Sequence, residues 1–181
     1  MLLLPYLGEG ELFAKIHVDE PWDSEHNLSV AEDVDAEWFQ CPSDTEGADG
    51  DVFRYKMIKG HRIPVTNYVM ITGENSVGDG CKMADIIDGT SNTFMIVEVT
   101  GGDCPAWCEP VDLDIGDWHN GINNPSGRPG IRSNHTASEG DGANVAFCDG
   151  SVRFLPATTP TAELERGGDR RDGEPVDFWS Y

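Results

Sequence analysis

Apolar residues along the chain follow two spacings. Near the start, Leu12, Phe13 and Ile16 recur at helical intervals, with Glu9 and Glu11 ahead of them and Lys15 behind, the charge order a helix dipole favours. This predicts the end of an amphipathic helix over residues 5–16, with Leu2 to Leu4 as its preceding turn. Residues 52–58 and 63–71 instead collect β-branched and aromatic side chains on either side of Lys59-Gly60-His61-Arg62, which predicts an antiparallel pair. Residues 93–99 form a near-continuous apolar run after the turn sequence Asp88-Gly89-Thr90-Ser91-Asn92, the pattern of a strand in the middle of a sheet. Residues 144–147 and 151–155 flank Asp149-Gly150. Two strand-length runs around Asp-Gly predict a closing hairpin, because glycine accepts positive φ.

The segments between these runs are polar. Residues 17–37 form a connection with one short helix expected from Ser29 to Ala36, capped by Ser29 with Glu32 three residues on. Residues 101–132 contain prolines, glycines and two tryptophans but little periodicity, and an irregular stretch of this length is usually functional or pinned by cross-links. The tail after Pro156 is polar until Phe178, Trp179 and Tyr181, which are expected to dock on the domain or a partner. With 181 residues, one domain is the first expectation: a helical spine end over 1–16, sheet and loops over 38–155, and a tail over 156–181. The class implied is α+β, with long irregular loops.

Charge narrows the partners. Lysine plus arginine number 12 against 33 aspartate plus glutamate, a formal charge of -21 that repels nucleic-acid phosphates and anionic membranes and favours cations. No stretch approaches the ~20 apolar residues needed to span a bilayer. Residues 1–7 are apolar but lack a basic flank and are broken by Pro5, which does not fit a signal peptide. Five cysteines, Cys41, Cys81, Cys104, Cys108 and Cys148, include no CxxC pair. Two disulfides with one buried thiol fit an exported chain, whereas a zinc site built on Cys104-x3-Cys108 fits a cytosolic one.

Four kinds of chemistry are worth weighing. Glu109, Asp112, Asp114 and Asp117 offer hard oxygen ligands within one irregular loop, which suits calcium; their spacing fails the EF-hand pattern, and solvated surface charge is the competing reading. The acidic groups Asp44, Glu46, Asp49, Asp51 and Asp33, Asp35, Glu37 fail it too. Ser133, His135 and Asp149 contain the residue types of a hydrolytic triad without a Gly-x-Ser-x-Gly elbow, so His135 is expected to be a structural histidine bonded to loop carbonyls. Gly47, Gly60 and Gly140-x-Gly142 lack the lysine and context of a phosphate loop. Trp22, Trp38, Trp107, Trp118 and Trp179 are either a binding face or plugs for a small sheet.

Several ordered pieces of sequence carry a resemblance. They are Leu3-Leu4-Pro5-Tyr6-Leu7 with Glu11-Leu12, Phe39-Gln40-Cys41-Pro42-Ser43-Asp44, Thr66-Asn67-Tyr68-Val69, Asp88-Gly89-Thr90-Ser91-Asn92-Thr93 with Glu98, Arg132-Ser133-Asn134-His135, and the 144–155 hairpin. In that order they resemble the prepilin-like proteins of Planctomycetes and relatives known as DUF1559, which carry a C-terminal His-x9-Asp-Gly signature. Here 13 residues separate His135 from Asp149, so the loop is enlarged. Family members begin with a prepilin leader and an apolar helix, and this chain is expected to start where that helix would be ending. The resemblance implies a pilin-like domain, with the helix end packed on an antiparallel sheet. It also implies a non-enzymatic exported subunit in the envelope or outside the cell, assembling with other pilin-like subunits or envelope proteins. This portion itself would make no membrane contact. Pseudopilins of similar architecture hold calcium in a C-terminal loop, which favours Ca2+ at Glu109, Asp112, Asp114 and Asp117. The alternative is a soluble extracellular module that binds a ligand through Trp107, Trp118 and the acidic loop without polymerising.

Overall fold

Proline and glycine set several of the element boundaries in the computed structural model, which describes residues 1–35, 37–44, 54–118, 121–124, 130–135, 141–174 and 176–178, without the side chains of 103, 117 and 118. The described residues belong to two compact units. The first comprises Met1–Pro42, Glu46–Asn67 and Cys104–Val111; the second comprises Ser43–Thr45, Tyr68–Asp103 and Asp112–Tyr181.

In the first unit, the expected helix over residues 5–16 is broken. A 3-10 turn at Leu4–Leu7 stops at Gly8, whose φ of 87° no L-residue adopts cheaply, and α1 spans only Gly10–Phe13. Helix α2, Glu25–Glu32, begins earlier than expected. Ser24 caps it, its Oγ accepting from the Asn27 N–H at 3.1 Å, so Ser29 lies inside the helix. Asn27 is buried and fully used: its Oδ1 accepts from the His17 N–H, and its Nδ2 donates to the His17 and Pro21 carbonyls. Strands β1, Tyr55–Ile58, and β2, His61–Pro64, form an antiparallel hairpin. Lys59 and Gly60 both have positive φ at its tip, the conformation that matches the twist of a two-residue loop. Leu4, Leu28, Ala31, Ile63, Ala106 and Trp107 form the core of this unit.

The apolar run over 63–71 does not continue as one strand. Pro64 ends β2, and the buried Asn67 accepts from the Cys41 N–H through Oδ1 at 2.8 Å. The first part of the expected strand over 52–58 lies outside the described residues, as do Glu46, Gly47, Asp49, Asp51, Gly140, Trp179 and Tyr181.

The second unit is built on a five-stranded sheet in the order β5-β3-β4-β6-β7, with β3 Tyr68–Thr72, β4 Phe94–Glu98, β5 Leu113–Asp114, β6 Gly142–Phe147 and β7 Val152–Pro156. β4 is central, as its apolar run predicts. β6 and β7 form the expected hairpin around Gly150. The sheet is mixed rather than purely antiparallel, because β5 joins β3 in parallel. Residues 101–118 contain only 3-10 turns and the two residues of β5, in keeping with their sequence. The tail contains an unanticipated helix, α3, Thr161–Gly168. Gly167 lies against the Phe94 ring, where a Cβ would come within 2.4 Å. Phe178 is buried, 5.1 Å from Phe94 and 5.6 Å from Phe147 between ring centroids, so the tail does dock. The class is α+β.

Candidate functional site

A carboxylate in a central strand calls for an explanation, and Glu98, the last residue of β4, is 1% exposed. Its Oε2 accepts the backbone N–H of Asn144 on β6, and both of its carboxylate oxygens face Nε2 of His135, at 3.2 and 3.3 Å. The Glu98 backbone carbonyl accepts from the Arg132 N–H at 2.9 Å, which brings residues 131–135 alongside the strand. Asn144 Nδ2 lies 3.0 Å from the same His135 nitrogen. One nitrogen cannot donate to Glu98 and accept from Asn144 at once. The nearby anion favours the Nε2–H form, with the Asn144 amide oxygen turned to the ring. The His135 ring also stands edge-on to Phe154 of β7, 5.5 Å between centroids.

The surrounding loop is held by polar contacts. Asn123 Oδ1 accepts from the Ser133 N–H at 2.8 Å, its Nδ2 donates to Asp141 at 2.6 Å, and the Ser133 hydroxyl donates to the Gly142 carbonyl. Ser133 therefore does not present its hydroxyl to the His135 ring. Asp149 caps the hairpin turn, accepting from the Ser151 N–H and hydroxyl, which holds its carboxyl below the ordinary aspartate range. Ser133, His135 and Asp149 are thus given three separate jobs. The histidine's carboxylate is Glu98, which interrupts the apolar run over 93–99. That single charge was the signal in the sequence. What the pair does is fix a loop to a strand.

Among the acids proposed for calcium, three have described side chains. Glu109, in the first unit, pairs with Lys56 Nζ at 2.6 Å and accepts the Ala106 N–H at 3.1 Å. Asp112 and Asp114, in the second, accept from the Met70 and Gly116 N–H groups at 3.0 and 2.7 Å. The Asp117 side chain lies outside the described residues. Protein donors therefore engage each described carboxylate of the set.

Trp107 is not a binding surface. It is 8% exposed, its Nε1 donates to the Ala31 carbonyl at 3.1 Å, and Phe39 stacks on it at 5.8 Å. The Trp118 side chain is outside the described residues. The five cysteines form no disulfide in the structure. Cys104 and Cys108 are buried in the first unit, and burial pushes the Cys108 thiol up to about 11, which keeps it protonated.

These features define an α+β protein whose mixed sheet is fastened by a buried carboxylate-histidine pair. The chain belongs to the family SBP_bac_10, described as "Protein of unknown function (DUF1559)", which matches residues 1–120. No curated protein and no solved structure matches the chain. Among the described residues, no helix is long and apolar enough to cross a membrane.

Proposed function

We propose that the chain is an exported, non-enzymatic, prepilin-type subunit whose first residues pack against other subunits of the same kind. The observation that carries this reading is the disposition of residues 2–7. Leu4 is buried in the core of the first unit, while Leu2, Leu3, Tyr6 and Leu7 are 72, 61, 88 and 48% exposed. Four large apolar side chains in six residues are costly to leave in water, at roughly 25 cal/mol per Å2, and one anchored residue fixes the face they present. The membership in DUF1559 and the resemblance to prepilin-like proteins supply the partner class. Sheet and loops then act as the displayed body, and the strong negative charge keeps subunits apart except where apolar faces meet.

The test is a photo-crosslinker introduced at Tyr6 in the producing cell, followed by fractionation. The expected result is adducts with copies of this chain or related prepilin-type subunits in the envelope or extracellular fraction. A chain that stays in the cytoplasm without adducts would overturn the reading.

A further inference from the structure

The sulfur-bearing side chains are unevenly placed. Three of the five methionines and two of the five cysteines line one cavity of about 190 Å3 in the second unit. Four separate stretches bring them together. Met70 comes from β3, Met95 from β4, Cys148 from the turn after β6, and Cys81 and Met83 from the loop that ends in the 3-10 turn Met83–Asp85. Met95 sits at an irregularity in strand pairing, where Phe94 opposes Phe147 and Ile96 opposes Ala146, leaving one extra residue on β4. Such an insertion re-aims side chains locally. The other described lining residues, Val77 and Ile86, are aliphatic.

This is not the usual placement of core methionine. Met83 is 64% exposed and Met70 is 38% exposed, so thioethers stand at the mouth with the thiols beside them. A cavity lined by thiol, thioether and alkyl groups offers nothing to calcium or magnesium, which take oxygen ligands. It suits a soft ion: thiolates serve Cu(I), zinc and iron–sulfur clusters alike, and the three thioethers beside the two thiols favour Cu(I) within that set. We propose that this cavity binds one Cu(I) ion through the sulfurs of Cys81 and Cys148, with thioether support from Met70, Met83 and Met95.

The proton balance follows from the thiols. Burial pushes the Cys148 thiol up to about 11, with Cys81 and Asp149 adding to the rise, and Cys148 Sγ donates to the Phe94 carbonyl at 3.7 Å. Binding forms two Cu–S bonds, breaks two S–H bonds and releases two protons to water; no electron is transferred. Affinity should accordingly rise with pH.

The experiment is anaerobic titration of the reduced full-length chain with Cu(I), in competition with a colorimetric Cu(I) chelator. One ion per chain is expected. Cys81→Ser and Cys148→Ser should each weaken binding roughly 100-fold and Met83→Leu about 10-fold, in the range that ligand-shell changes produce. Cys104→Ser should leave the affinity unchanged. Met83 is exposed and Cys81 is partly exposed, so these two variants carry the test even if Cys148→Ser disturbs folding. Failure to compete with the chelator, or Cys81→Ser and Met83→Leu affinities within twofold of the parent chain, would overturn the proposal.

Discussion

Nε2 of His135 stands 3.2 Å from the buried carboxylate of Glu98, linking the residues after Arg132 to the central strand. Removing one partner of a buried pair leaves the other charge uncompensated, which typically costs about 3–5 kcal/mol, whereas replacing both with apolar groups is often close to neutral. His135→Ala is therefore expected to lose about 3 kcal/mol, and Glu98→Leu combined with His135→Leu to recover most of it. Urea unfolding of the two variants reads the difference, and additive losses would contradict the pairing.

The cap of α2 gives a sharper contrast. Ser24 supplies the capping oxygen and Ser29 is inside the helix, so Ser24→Ala should cost about 1 kcal/mol. Ser29→Ala should be neutral or slightly stabilising, because alanine is the better helix former. Chemical denaturation of both settles which serine begins the helix; equal losses would not fit Ser24 as the cap.

Gly167 is needed for space. A methyl group there would enter the Phe94 ring, itself enclosed by Phe147 and Phe178, so the ring cannot swing aside freely. Gly167→Ala should destabilise the chain by about 1–3 kcal/mol through overpacking, against the usual helix preference for alanine. Gly167→Ala in a Phe94→Leu background should cost less. Melting temperatures of the four proteins complete the cycle.

His61 makes the first unit sensitive to pH. Its Nδ1 meets Glu32 of α2, and its Nε2 lies 3.4 Å from Glu25. The hydrogen bond to Glu32 is the main cause that raises its pKa above the ordinary 6.5. A raised folded-state value means the unfolded chain gives up this proton first. The contribution is thus fully present below about pH 6.5 and fades as pH climbs through the raised value. The Tm difference between the parent chain and His61→Gln should therefore be largest in mild acid and shrink on the alkaline side. A difference that grows with pH would reverse the sign.

Local pattern was enough for the sheet's middle and its hairpin. The run over 93–99 is apolar on both faces except for Thr93 and Glu98, which pointed to a central strand, and Asp149-Gly150 left one workable turn. The 63–71 run misled because apolar content cannot reveal that Pro64 ends a ladder and Asn67 leaves to bond with Cys41. Helix α3 was hidden by Gly167 and Gly168, which lower helix propensity, although Gly167 serves close packing on Phe94. At the candidate site, the local pattern pointed His135 to loop carbonyls, whereas the partner it meets, Glu98, lies 37 positions earlier on another element. Only folding brings them together. Of the calcium set, Glu109, Asp112 and Asp114 meet Lys56 or backbone N–H groups, contacts that spacing alone does not show.

Phe178 closes the aromatic cluster begun by Phe94, and 84 positions separate the two. During translation at about 5–20 residues per second, a ribosome needs roughly 4–17 s to cover that interval. Throughout it the central strand has emerged while a ring that seals its core has not. The second unit must therefore finish folding late, with the Phe94 and Phe147 rings incompletely covered until the tail arrives.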